Sequence, residues 1–404
     1  MIKTLKNFGP GLLFAGAAIG VSHLVQSTRA GADFGMGLLW ALLLVNIFKY
    51  PFFQFGPRYA AATSESLLDG YKKLGHSVLA IYYTINLATM FTIQTAVTIV
   101  TAGLASTLFG DYFSLKTWTV IILMICIAIL MFGKYKLLDR LMKIIIITLT
   151  ISTIIAVYIA FSNHANPMSF QQILPKNSLE IAFLIAFMGW MPAPLDVSIW
   201  QSLWTIEKNK DTKQYTPKSA LFDFNVGYLS TIVLGVGFLS LGTLIMFQSG
   251  ETFSASAGIF SGQLINMYTA SLGNWAYIII GIAAFTTMFS TTLTTMDASP
   301  RAMAKTTQLL FKKSSKFNYS FWIALLAIGT IAIFLFLASE MGLLIKIATI
   351  LSFITAPFFA IINYKLICSK HTPKSWQPSK TLHVLSWLGI LFLIGFSIWY
   401  LTTL

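Results

Sequence analysis

One stretch in the middle of the chain decides the fold: Phe187-Met188-Gly189-Trp190-Met191-Pro192-Ala193-Pro194-Leu195-Asp196-Val197-Ser198. It lies in an apolar run from about residue 181 to 206, which is long enough to cross a bilayer as a helix. Pro192 and Pro194 cannot both sit in an unbroken helix, because each removes a backbone donor and clashes with the preceding turn. The run is therefore predicted to open near its centre. Such a break is tolerated only where protein or a hydrated cavity covers it.

The composition of the chain indicates a protein embedded in a lipid bilayer. Of its 404 residues 56% are hydrophobic and only 10% are charged, and the mean hydropathy is +0.76. The net charge of +14 could suggest a nucleic-acid partner, but the basic residues are spread among short loops, so we expect none. Cys126 and Cys368 fall in or beside apolar runs without metal-ligand spacing, and we interpret them as packing residues.

Eleven apolar segments follow one another along the chain. Their approximate limits are 11–31, 37–57, 78–108, 117–133, 141–162, 180–206, 219–247, 274–299, 319–338, 341–364 and 382–403. When these segments alternate in direction, only Arg29, Lys116, Lys176 and Lys346 of the 27 Lys and Arg residues fall on one side of the membrane. The others, with Lys49 among them, fall on the opposite side. Because basic loops face the cytoplasm, this pattern predicts a cytoplasmic N-terminus and an external C-terminus in a bacterial-type inner membrane.

The first segment is interrupted in the same way as the sixth. Gly16 and Gly20 precede Ser22 near its middle; glycine weakens a helix, and a serine could cap a second half-helix starting there. Since five segments separate the two breaks and five is odd, the broken helices run in opposite directions. This indicates an all-α membrane domain over 1–404, with inverted repeats at about 9–163 and 179–366 and an eleventh helix at about 381–403.

Several motifs in this order resemble those of one transporter family. Gly9-Pro10-Gly11-Leu12-Leu13, Ala30-Gly31-Ala32 and Leu38-Leu39-Trp40 are similar to the first two helices of the Nramp (natural resistance-associated macrophage protein) metal-ion transporters, and Met191-Pro192 matches the start of their Met-Pro-His motif. Ser290-Thr291-Thr292-Leu293-Thr294-Thr295 resembles the eighth helix of the family, and Leu351-Ser352 with Pro357-Phe358 resembles the tenth. The resemblance implies the LeuT-type fold and alternating-access transport of a divalent cation such as Mn, Fe or Mg.

The chain departs from this family at the residues that bind the metal and carry protons. Ungapped alignment from Gly9 replaces the Asp-Pro-Gly-Asn of the first helix by Gly20, Val21, Ser22 and His23. In the sixth segment the methionine ligand is kept as Met191, the carbonyl donor falls on Met188, and Pro194 replaces the asparagine of the motif. The positions of the proton path hold residues that do not titrate: Gly20, Gln94, Val97 and Ala193. Transport without the usual proton coupling is therefore expected.

Six residues form the predicted substrate site: Gly20, Ser22, His23, Met188, Met191 and Asp196. Three of them are candidate metal ligands, and each also has a structural interpretation. His23 is a ligand or a buried histidine bonded to a freed carbonyl, and Met191 is a thioether ligand or a packing residue. Asp196 binds the cation or caps the outgoing half-helix. Asp223 and Asp297 lie nearer the segment ends, where solvation at the interface is expected.

The charge near the two breaks distinguishes two candidate functions, which are transport of a divalent cation and transport of a monovalent cation or a small organic solute. A dication stripped of water needs nearby negative charge, and Asp196 is the one acid close to either break in the sequence. If Asp196 points away, a monovalent cation or a small organic solute becomes the alternative substrate on the same scaffold. Motifs of intramembrane or hydrolytic enzymes, such as His-Glu-x-x-His and Gly-x-Ser-x-Gly, do not occur in the sequence. We therefore expect a transporter rather than an enzyme, with the bilayer and a small ion or solute as partners and no cofactor.

Overall fold

The computed structural model describes residues 9–110, 112–163, 169–211, 216–247, 253–254, 257–311, 318–337 and 341–403. Every regular element in these ranges is helical, as the apolar segments predict. Some of the basic residues used to predict the orientation lie outside the described residues: Lys3, Lys6, Lys213, Lys312, Lys313 and Lys316.

The first segment consists of three helical pieces, which are α1 (Pro10–Ala18), a π-helical stretch (Val21–Ser27) and α2 (Thr28–Phe34). The remaining α-helices are α3 (Leu39–Thr63), α4 (Leu67–Leu74), α5 (His76–Phe109), α6 (Leu115–Ala128), α7 (Lys134–Asn163), α8 (Ser178–Trp190), α9 (Val197–Asp211), α10 (Pro217–Ile245), α11 (Ala257–Leu272), α12 (Tyr277–Phe311), α13 (Tyr319–Leu337), α14 (Met341–Ile367) and α15 (Lys380–Thr403).

All eleven predicted segments correspond to described helices. Within the described ranges, eight helical stretches are long and apolar enough to cross a membrane, and the first of these, Pro10–Thr63, contains the first two segments. The sixth segment is divided between α8 and α9, and the eighth is α12, which continues to Phe311. The short helices α4 and α11 lie between segments and were not predicted. Long apolar runs identified the long helices but not these two shorter ones.

Helix α7 shows the surface expected of a protein that contacts lipid. Ile144, Ile151 and Tyr158 recur every seven residues, and they are 60%, 55% and 71% exposed. Residues at this spacing lie on one side of a helix. A continuous apolar face of this kind is unfavourable in water and contacts hydrocarbon in a bilayer.

The first segment packs closely against α10 because the contact is made by glycines. A Cβ atom built on Gly227 would lie 2.0 Å from the carbonyl oxygen of Gly11, and one built on Gly11 would lie 2.0 Å from that of Asp223. Both distances are far below van der Waals contact, so only glycine permits this approach of the two backbones. Small residues serve the same purpose wherever helices associate in membranes.

Two acids predicted to be solvated are instead buried. The carboxylate of Asp223 accepts hydrogen bonds from the backbone N–H of Gly9 at 3.2 Å and of Gly11 at 2.8 Å, and thus satisfies the orphan donors at the start of α1. Asp297 pairs with Arg301 at 2.6 Å and accepts from Tyr319 at 2.6 Å. The prediction failed because protein partners, on the same helix as well as on other helices, supply the stabilisation that water would otherwise give.

Candidate substrate site

The first break lies between Ala18 and Val21 and is covered by α12. The hydroxyl of Thr291 lies 3.1 Å from the carbonyl oxygen of Gly16 and 3.2 Å from that of Ile19, so it can donate to backbone acceptors near the break. A Cβ atom on Gly20 would lie 2.5 Å from the Thr291 hydroxyl oxygen. Gly20 is therefore required by close approach, because any side chain there would displace the group that covers the break.

Ser22 does not cap a half-helix, contrary to the sequence prediction. Its hydroxyl oxygen lies 2.7 Å from the carbonyl oxygen of Ala18 and 3.3 Å from that of Pro192. Both contacts are to backbone acceptors, whereas a cap would accept from backbone N–H groups. The consequence is a polar link between the first and the sixth break.

His23 is fully buried and is bonded at both ring nitrogens. Nε2 lies 3.0 Å from the carbonyl oxygen of Thr231, so this nitrogen carries a proton and donates. Nδ1 lies 2.6 Å from the Ser22 hydroxyl and 3.1 Å from the carbonyl oxygen of Ala18. In this conformation the imidazole joins the first break to α10, and neither nitrogen is free to bind a metal.

Met191 and His23 both approach α10 at Gly235. A Cβ atom built on Gly235 would lie 3.5 Å from the Met191 sulfur and 3.6 Å from Cδ2 of His23. The two predicted ligands thus share a neighbour, and the absence of a side chain on Gly235 provides the space for both. Both are fully buried.

The carbonyl oxygens of the sixth break are bound by Lys49, which the charge pattern places in a loop. The ammonium of Lys49 on α3 donates to the carbonyl oxygens at the end of α8 and in the break, at 2.8, 2.8, 3.0 and 3.4 Å for Met188, Gly189, Met191 and Ala193. The Met188 carbonyl predicted to bind substrate is therefore occupied by Lys49.

Lys49 is wrongly counted among the loop charges, since its side chain is 0% exposed. The signal that could have identified it was its position inside the second apolar segment, two residues before Pro51. An ionisable residue within a membrane segment is a functional candidate by default. Charge counting alone could not distinguish it from a lysine in a loop.

Asp196 lines a cavity that neither His23 nor Met191 lines. Thr89 and Ser352 also line this small cavity, and Asp196 is 6% exposed. Its carboxylate interacts with the backbone N–H of Val197 at the start of α9 and is attracted by the Lys49 ammonium. Among the described residues, its Oδ1 atom has no hydrogen-bond partner.

A separate central cavity lies between the first, third, sixth and eighth segments. Its polar lining residues are Ser22, Thr291 and Thr295, and its apolar lining residues include Val97 and Ala193. The centre of a water molecule can occupy about 20 Å³ of it, which is room for about one water. The three candidate metal ligands are not gathered in this cavity, and in the described part of the chain no group of three or more His, Cys, Asp and Glu side chains could hold a metal ion.

Several solved structures share the fold of this chain. The chain is similar to a mutant of the Eremococcus coleocola manganese transporter, with 15% identity and a TM-score of 0.72 over 98% of this chain and 86% of that one. It is also similar to Mhp1, a nucleobase-cation-symport-1 family transporter (14%, TM-score 0.64, 98% and 93% covered), and to MhsT with bound L-phenylalanine (13%, 0.65, 98% and 98%). These matches show the LeuT-type fold.

The family follows from the sequence. The profile described as natural resistance-associated macrophage protein-like matches residues 11–403, and the chain belongs to this Nramp family, which confirms the resemblance. A relative from Pasteurella multocida (strain Pm70), the uncharacterized protein PM0681, is 36% identical over 400 residues, which cover 97% of this chain and 91% of the relative.

Proposed function

We propose that this protein is a secondary transporter that moves a divalent metal cation, such as Mn, Fe or Mg, across the membrane by alternating access and without the usual proton coupling. Membership of the Nramp family supports a metal ion as substrate. The observation that carries the proposal is the meeting of the two breaks at Ser22 and Pro192, beside a cavity with room for about one water. Broken helices that meet in this way form the substrate sites of many secondary transporters.

The absence of proton coupling is proposed from the groups around the central cavity. Val97 and Ala193 line the cavity and cannot titrate. Gln94 is buried, and its amide nitrogen lies 3.2 Å from the Thr98 hydroxyl and 3.3 Å from the carbonyl oxygen of Thr292. A proton path needs groups that accept and release protons. A membrane potential of 100 mV supplies roughly 4.6 kcal/mol for a dication, so proton coupling is not required energetically.

One observation favours a second candidate function, which is transport of a monovalent cation or a small organic solute. The Lys49 ammonium lies at the sixth break and attracts Asp196. Together these two groups add no net charge, so they leave a dication without local compensation. A neutral, zwitterionic or singly charged substrate would meet a smaller desolvation penalty there.

Uptake into proteoliposomes tests both functions. Purified protein is reconstituted with a pH dye and a metal-sensitive dye inside, and Mn²⁺, Fe²⁺, Mg²⁺, Na⁺, K⁺ and amino acids are supplied under an imposed potential. We expect divalent-cation uptake that follows the potential, without acidification when an ionophore holds the voltage near zero. Acidification that depends on substrate at zero voltage would contradict the uncoupled mechanism, and uptake of only the monovalent ions or organic solutes would favour the second candidate.

We also propose that the protein lies in the cell membrane with its N-terminus in the cytoplasm and its C-terminus outside. The support is the distribution of Lys and Arg between the loops. A reporter that is active only in the cytoplasm, fused after Leu404, should be inactive, whereas one active only outside should work. Cytoplasmic activity of that fusion would contradict this orientation.

A further inference from the structure

The Lys49 ammonium has the surroundings of a bound cation. It has three N–H donors, and three carbonyl oxygens lie within hydrogen-bond distance, those of Met188 and Gly189 at 2.8 Å and that of Met191 at 3.0 Å. A fourth, from Ala193, lies at 3.4 Å. All its donors are therefore used, and the partners are backbone oxygens from one short stretch of chain.

These carbonyls form an acceptor site whether or not a lysine is present. They belong to the end of α8 and to the break that follows it. The last carbonyls of a helix have no intrahelical partners, and they carry the negative end of the helix dipole. Unwound carbonyls of this kind coordinate monovalent cations in membrane proteins. Buried without a donor or a cation, each would lose the hydrogen bonds that it makes with water in the unfolded chain.

A buried acid provides a second, independent indication of a cation site. The carboxylate of Asp196 is 6% exposed, it is attracted by Lys49, and its Oδ1 atom has no hydrogen-bond partner among the described residues. A carboxylate oxygen in this position attracts positive charge to the break. Together, Asp196 and the four carbonyls favour a single positive charge.

We propose that the sixth break contains a monovalent-cation site, and that Lys49 fills this site with its own ammonium. The lysine thereby acts as an immobile cation, so binding of free Na⁺ or K⁺ at this break is not needed to keep the broken helix in place. Removal of the ammonium leaves the site able to bind a free monovalent cation. This inference concerns ion binding at the break and does not depend on which substrate the protein transports.

Chemical rescue of Lys49→Ala tests the proposal directly. Alanine retains Cβ, so n-propylammonium replaces the atoms that are removed, and 1-propanol is its uncharged equivalent. The melting temperature of purified protein is measured with propylammonium, methylammonium, ammonium, K⁺ and Na⁺ chlorides at one ionic strength, which N-methylglucamine chloride maintains. Wild type and Lys176→Ala, whose lysine is exposed, are the controls, and Lys49→Met is a variant of similar length without charge.

We expect a saturable rise of about 2 °C or more in the melting temperature of K49A with at least one of the small cations, since binding to the folded state stabilises it. The rise should be absent with 1-propanol, in wild type and in K176A, and it should be weaker in K49M, whose side chain fills the space. The proposal is overturned if no cation stabilises K49A selectively. It is also overturned if K49A yields no folded protein when it is extracted and purified with each of these cations in turn.

Discussion

The hydroxyl oxygen of Ser22 lies 3.3 Å from the carbonyl oxygen of Pro192. One side chain from the break in the first segment thus reaches the backbone of the break in the sixth, across 170 positions of sequence. The contact lies beside the central cavity, because Ser22 is one of the residues that line this cavity. The proposed alternating access would change this contact if it moves one broken helix relative to the other.

Replacement of Ser22 by alanine tests whether this link matters for transport. Ser22→Ala removes the hydroxyl whose single proton can be donated to Ala18, to Pro192 or to Nδ1 of His23. The loss of a buried hydrogen bond costs about 1–3 kcal/mol. We expect a lower melting temperature and slower substrate uptake in proteoliposomes. Ser230→Ala is the control, because that hydroxyl donates to Val226 in its own helix. Unchanged uptake in S22A would show that the link is not part of the transport cycle.

Replacement of Gly227 by alanine tests the close contact between α1 and α10. The added Cβ would lie 2.0 Å from the carbonyl oxygen of Gly11, so the two backbones must separate, at a cost of about 1–3 kcal/mol or more. We expect a marked fall in the melting temperature in detergent. Gly395→Ala, where the added atom meets nothing within 4 Å, should be neutral or slightly stabilising. Equal stability of the two variants would contradict the packing described for Gly227.

Replacement of Asp196 by asparagine separates its two interpretations. We expect Asp196→Asn to lower cation uptake about tenfold or more, because the carboxylate is the negative charge attracted by Lys49 at the break. The fold should persist, since asparagine can still cap α9. Uptake and melting temperature are compared with Glu207→Gln, which alters a pair with Lys210 outside the site. Normal ion uptake in D196N would leave Asp196 with a structural capping role.

The pair of Asp69 and Lys305 should make stability depend on pH at the acidic end. Burial raises the pKa of the Asp69 carboxyl, but the hydrogen bonds from Lys305 and Ser66 and the charge of Lys305 outweigh this, so the pKa lies below its ordinary value of 3.8. Lys305 lies 2.7 Å from the carboxylate. Because the folded-state pKa is depressed, the stabilisation is present above pH 3.8 and is lost as the pH falls through the folded-state pKa.

Melting temperatures of wild type and Asp69→Asn as a function of pH check this expectation. The difference between the two proteins should be constant from about pH 5 to 7 and should shrink below about pH 4. Lys305→Gln removes the partner charge and should reduce the same dependence. A difference that grows on acidification would contradict the pairing.

Much of the fold and the positions of the two helix breaks could be predicted from the sequence. Apolar length fixes which stretches become membrane helices, because backbone groups in hydrocarbon must be bonded within the helix. Pro192 and Pro194 require the break in the sixth segment, since a helix cannot accommodate both. These are local constraints that act on neighbouring residues, and they can be read from the order of the amino acids alone.

Tertiary structure decided what covers the broken helices and where the charges lie. Lys49 reaches carbonyl oxygens 139 to 144 positions away in sequence, and Asp223 caps a helix that begins more than two hundred residues earlier. Local sequence cannot show whether such a charge is solvated or buried, because the energy depends on partners that only folding brings near. The sequence by itself therefore determined the broken helices, while the packing of α3 against the sixth break decided that a lysine holds it.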